Sequence, residues 1–88
     1  MRLYFDTNSK DEDGRYWLSC AGTLRDLKAL NVELEDGMLV TLYMDDPDED
    51  GRPALLLVEA VVERDGQHFV ARVDARTWRR EPVGDDAV

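Results

Sequence analysis

Asp46, Asp48 and Asp50 fall at every second position of the stretch DDPDEDGR, residues 45–52, and Gly51 follows them. A calcium loop begins in that order, because the cation takes oxygen ligands from alternate residues and the sixth position needs a glycine for a sharp turn. Counted from Asp46, the first, third, fifth and sixth positions agree. The twelfth, where a bidentate glutamate would close the shell, is Leu57; the eighth is Pro53; and the flanks are strand-like where a calcium loop has helices. The three aspartates are candidate ligands for a weakly held calcium ion completed by water. The competing explanation, which the missing glutamate favours, is a solvated hairpin loop.

A second group lies near the end of the chain, where Arg72, Arg76, Arg79 and Arg80 surround Trp78 in ARVDARTWRRE. Arginine and tryptophan dominate binding hot spots through stacking, bidentate hydrogen bonds and large buried area. As a partner-binding edge, these five residues would take an acidic peptide or, through its acidic loops, another copy of the chain. Equally weighted is a structural role, with Trp78 closing the bottom of the core and the arginines answering the acidic loops across the molecule.

Catalytic chemistry is thinly represented. His68 is the single histidine and falls on the wet face of an expected strand, and no serine or cysteine has a local partner that would activate it. Cys20 is alone among apolar residues, so no internal disulfide and no thiolate cluster is expected. No glycine-rich phosphate loop is present, and the expectation is a non-enzymatic chain without a cofactor.

The elements that must position these residues fit in 88 residues, 43% of them hydrophobic and 35% charged. That is one small globular domain, expected over residues 1–82, near the lower limit at which a single core suffices. The last six residues, 83–88, read as a flexible acidic tail. No stretch is long and apolar enough for a signal peptide or a membrane span, so the cytoplasm is the expected location and no membrane partner is expected. The net charge of −9 repels nucleic acid on average, which leaves a nucleic-acid-binding barrel as the weakest alternative. The charge is uneven: residues 1–60 carry 14 acids and 6 bases, whereas residues 61–80 carry 3 acids and 5 bases.

Four Asp-Gly pairs, at 13–14, 36–37, 50–51 and 65–66, punctuate the chain as hairpin turns do. RLYF (Arg2–Phe5) and RYWLSC (Arg15–Cys20) flank the first and predict a hairpin with a long loop. Thr23, with Asp26 three residues on, predicts a capped helix start, and Leu24, Leu27 and Leu30 predict a short helix over residues 24–30. Met38–Met44, Ala54–Glu63 and the alternating HFVARVDA then predict a three-strand meander. In the second of these Leu56, Val58, Ala60 and Val62 face the core; in the third Val70 lies with His68 on the wet side. The pentapeptide DEDGR occurs twice, at residues 11–15 and 48–52, preceded by LYFD in one place and LYMD in the other, a pattern open to duplication or to convergence of acidic turns.

The run from LEDGMLVTLYMDD through VVERDGQHFVARVD, within residues 32–75, resembles the meander of SH3-like small barrels, in which a glycine turn feeds a curved strand and two more follow. The helix before it is not an SH3-like hallmark and leaves an OB-like barrel or an α+β roll open. The resemblance implies a binding scaffold. The expectation is thus a mainly β fold, a small antiparallel barrel or roll of about five strands with one short helix. Its expected function is protein interaction or self-association, with a calcium-binding acidic module as the alternative.

Overall fold

The computed structural model describes residues 1–83; of the expected tail, residues 84–88 lie outside the described residues, and Val83 donates its N–H to Pro53 O at 3.1 Å. Six strands and one α-helix follow in the order β1 (Arg2–Tyr4), β2 (Tyr16–Trp17), α1 (Ala21–Leu30), β3 (Leu39–Asp45), β4 (Ala54–Asp65), β5 (His68–Val73) and β6 (Arg79–Pro82), with a 3₁₀ turn at Ala75–Thr77 before β6. One mainly β sheet runs in the order β1-β3-β4-β5-β2, and β6 adds to β4. The sheet is a roll that stays open.

The meander forms as expected, β3 and β4 pairing from Leu39 with Val61 to Asp45 with Leu55, and β4 and β5 closing on Gly66-Gln67. The first hairpin does not. The Asp13-Gly14 turn joins only its immediate neighbours, with Asp11 N–H on Arg15 O at 2.8 Å and Trp17 N–H on Ser9 O at 2.9 Å. β1 lies upstream of that register and pairs instead with β3, in parallel, while β2 joins β5 at the opposite edge. A parallel pair needs a long crossover, and the segment carrying β2 and α1 supplies it. The fold therefore departs from a wholly antiparallel one.

The core lies on one face of the sheet, where Leu3, Phe5, Val40, Leu42, Val58, Ala60, Val62 and Ala71 meet Tyr16 and Leu18, and Leu27, Leu34 and Trp78 pack against them. The alternation expected of β4 holds at Val58, Ala60 and Val62. Val70, expected on the wet side, is fully buried, because on that face it stands between Trp17 of β2 and Glu63 of β4. Leu57 is likewise buried on the outer face, flanked in register by Tyr43 and Arg79.

β4 carries β5 and β6 on the same side, and the chain between them has to leave the ladder and return. Asp74 N–H bonds Glu59 O at 2.9 Å; the Thr77 hydroxyl accepts Glu59 N–H at 2.9 Å and donates to Asp74 O at 2.7 Å. A threonine side chain thus fills the gap in the ladder, and the turn it stabilises aims Trp78 inward.

The helix starts earlier than expected and by other means. Cys20 is its N-cap without a side-chain cap bond, and Thr23 is fully buried with its hydroxyl donating to Tyr4 O at 2.5 Å. Asp26 does not reach back along the helix either: its carboxylate accepts Tyr4 N–H at 2.9 Å and the Tyr43 hydroxyl at 2.7 Å. β1 is the edge of the sheet, and α1 satisfies the outward N–H and C=O of Tyr4 in place of a further strand. Close approach requires Gly22, where a Cβ would come within 2.4 Å of Tyr4 Cδ1. Asn31, at φ 56°, ends the helix in a left-handed residue, with its N–H on Lys28 O and that of Val32 on Leu27 O.

Candidate functional site

The three aspartates of the acidic loop do not converge. Asp46 pairs with Arg80. Asp48 turns its carboxylate onto its own loop, accepting the N–H groups of Asp50 and Arg52, each at 2.9 Å. Asp50 is exposed. Among the described residues no three His, Cys, Asp or Glu side chains are grouped to hold a metal ion.

The arginine group is also dispersed. Arg72 bonds Glu63 at 2.7 Å, Arg76 bonds Asp74 at 3.0 Å and Arg79 bonds Glu59 at 2.8 Å, while Arg80 bonds Asp46. Arg79 and Glu81 sit on the outer face of the sheet by their register with Leu57 and Leu55, and Arg80 turns the other way. Trp78 points inward, its ring 6.2 Å from that of Phe5 and 6.5 Å from that of Tyr16. Arg72 lines a groove on the outer face with Asp74 and Glu59, the partners of Arg76 and Arg79, but Trp78 and Arg80 turn elsewhere, so the five residues form no single surface, and β6 itself is a strand of the sheet.

Most of the strong polar chemistry holds the fold together. Arg15, its side chain 15% exposed, bonds Asp11 at 2.7 Å and both Glu63 and Asp65 at 3.0 Å. Arg72 and then Arg15 hold the Glu63 carboxyl below its ordinary range. Burial pushes the Asp26 carboxyl up, but hydrogen bonds from Tyr43 and Tyr4 together with the Arg25 charge outweigh it, and the net shift is downward. Burial first and then the hydrogen bond to Asp26 push the Tyr43 hydroxyl above the ordinary phenol range. His68 meets Trp17 edge-on at 5.6 Å, and Cys20 Sγ lies 3.1 Å from Thr23 Oγ1.

Apolar surface is exposed on the outer face of the sheet at Leu39 and Val61, and on both flanks of helix α1. The helix leucines at spacing three do not form one stripe, because three residues fall short of a helical turn and each step rotates back by about 60°. Leu27 packs against the core, whereas Leu24 is 54% and Leu30 48% exposed, one on each flank. Leu30 lines a groove of about 290 Å³ with Ala29, Tyr43 and Leu55, whose polar members Arg2, Asp26 and Tyr43 are bonded within the chain. Leu24 lines the other groove, of about 410 Å³, with Leu18, Leu27, Val32, Leu34 and Phe69. This groove is open to solvent, and Glu33 and His68 stand among its lining residues.

No protein-family model, curated protein or solved structure matches the chain. Over the described residues the fold is a small sheet-rich one of six strands and one helix, and no helix among them is long and apolar enough to cross a membrane.

The groove was not legible as a site in the sequence. The leucine spacing that marks it also marks a core-facing helix, and only the rotation of about 60° per step hints that two of the three leucines miss the core. Phe69 and Leu34 come to it from β5 and from the loop after the helix, a tertiary placement with no local signature.

Proposed function

We propose that the chain is a cytoplasmic, non-enzymatic protein-interaction module and that its binding surface is the groove between α1 and β5. The observation that carries this is Leu24: a leucine more than half exposed, standing in line with Leu18, Leu27, Leu34 and Phe69 along an open groove. Contiguous apolar lining with a polar rim is the usual composition of a contact surface. The expected arginine edge supports the reading less well, since Arg72, Arg76, Arg79 and Arg80 each answer a carboxylate of the chain itself. Resemblance of the meander to SH3-like barrels agrees with a binding scaffold.

The sheet edges favour binding to a face over strand addition. β1 is covered by α1, and β2 is only two residues long. On β6 the bond from Val83 N–H to Pro53 O sets the phase of the ladder, so that Arg80 and Pro82 face out and Pro82 offers no donor there.

Peptide display against the full chain, with Leu24→Asp as the counter-selection, tests the proposal. Enriched peptides are expected to lose binding to Leu24→Asp while that variant keeps the wild-type melting temperature, because Leu24 stands outside the buried core. Absence of enrichment, or peptides that bind both proteins alike, would refute it.

A further inference from the structure

The charge around the groove identifies the chemistry of its occupant. Among the described residues Glu33, which lines the groove, and its neighbours Glu35 and Asp36 enter no ion pair. Glu33 and Glu35 flank Leu34, a lining residue, and both are exposed. Asp36 accepts the backbone N–H of Arg64 at 2.9 Å, which fixes this acidic segment against the start of the β4–β5 hairpin. The same hairpin already shows how a cation sits here: the Arg64 guanidinium lies 5.7 Å from the centre of the Phe69 ring and bonds Gly66 O at 3.1 Å. That guanidinium pairs with none of the three carboxylates, and Lys28, exposed on α1, is also outside any ion pair among the described residues.

At Arg15 and along β6 carboxylates are paired with arginines of the chain, whereas Glu33 and Glu35 beside this groove are paired with none among the described residues. Unpaired charge at the rim of an apolar groove raises association rates and selects partners of opposite sign, while the apolar floor supplies most of the affinity. A second copy of the chain is a poor occupant, because two molecules of net charge −9 repel each other.

Resting on the proposal that this groove is the binding surface, we infer that its occupant is a basic amphipathic segment of another protein, with bulky apolar side chains set between Leu24 and Phe69 and lysines or arginines facing Glu33, Glu35 and Asp36. Such a segment has the pattern of a helix laid into a groove.

The test uses the full chain and two synthetic amphipathic peptides, one of leucine and lysine and one of leucine and glutamate, titrated by calorimetry. The leucine–lysine peptide is expected to bind, to weaken as salt is raised, and to lose about tenfold in affinity for Leu24→Asp and several-fold for Glu33→Lys. Leu39→Asp, a 75%-exposed position on the outer face of the sheet, is expected to leave binding unchanged. Equal binding of the leucine–glutamate peptide, or wild-type affinity in both Leu24→Asp and Glu33→Lys, overturns the inference. Neither peptide binding, while display-selected peptides still need Leu24, overturns the basic occupant and keeps the groove as a binding surface. Sensitivity to Leu39→Asp in place of Leu24→Asp overturns both.

Discussion

Asp11 and Asp48 hold the same position in two loops of one design. Asp11 Oδ1 accepts the N–H groups of Asp13 and Arg15 at 2.9 and 2.8 Å; Asp48 Oδ1 accepts those of Asp50 and Arg52, both at 2.9 Å. In each loop the aspartate N–H returns to the arginine carbonyl, and the glycine adopts a positive φ, 81° at Gly14 and 78° at Gly51. DEDGR is a turn in which a side chain replaces missing backbone partners, with Oδ1 of the first aspartate taking both N–H groups. The strands upstream of the loops also correspond: Leu3 lies opposite Leu42 and Tyr4 opposite Tyr43 in the parallel pair, the two tyrosine rings 5.7 Å apart.

The loops differ in their arginines, and that difference is measurable. Arg15 is held by Asp11, Glu63 and Asp65, whereas Arg52 enters no ion pair among the described residues. Asp11→Ala removes the turn acceptor and one anchor of Arg15 together; Asp48→Ala removes the turn acceptor alone. Thermal melts are therefore expected to show a clearly larger loss for Asp11→Ala. Equal losses would mean that the Arg15 contacts add nothing to stability.

Asp26 is the residue through which the helix holds the edge of the sheet. Asp26→Ala leaves Tyr4 N–H and the Tyr43 hydroxyl without their acceptor and is expected to cost about 2–3 kcal/mol, against about 1.5 kcal/mol for Tyr43→Phe. The carboxyl lies below its ordinary range in the folded chain, so its stabilisation is complete above the unfolded value, near pH 4, and is lost as pH falls through the folded value. Glu59 and Glu63 are shifted in the same direction by their hydrogen-bond partners and act over the same range. Urea melts from about pH 7 to about pH 3 are expected to show falling stability, with a shallower fall in Asp26→Asn. An identical acid slope in that variant would remove Asp26 from the account.

How far the sequence reveals this fold depends on how local each signal is. β3, β4 and β5 are legible because alternation and a two-residue turn act between neighbours in the chain. The parallel pairing of β1 is not, since LYF suits a hairpin arm or a lone edge strand alike and only the competition for β3 decides. Thr23 and Asp26 read locally as a cap; the burial of Tyr4 against Gly22 turns both side chains across to the sheet instead. Arg76–Arg80 reads as a binding edge because its charges are conspicuous, while the carboxylates that answer them lie 2 to 34 residues away in sequence. The groove between α1 and β5 is the least legible feature, since its floor is made of ordinary apolar residues and its meaning lies in what fails to cover it.

Trp78 and Arg79 are adjacent in sequence and opposite in role, which gives the sharpest test of the arginine edge. Trp78 packs against Phe5 and Tyr16 at the end of the core, and its truncation is expected to cost about 3 kcal/mol. Arg79 bonds Glu59 from a side chain 45% exposed, a pair whose loss is expected to cost less than about 1 kcal/mol. Denaturant melts of Trp78→Ala and Arg79→Ala should therefore differ several-fold in their effect, and Arg79→Ala should bind groove-selected peptides as the wild type does. A folded, fully stable Trp78→Ala that loses peptide binding would place the partner on β6 and return the arginine edge to the function of the chain.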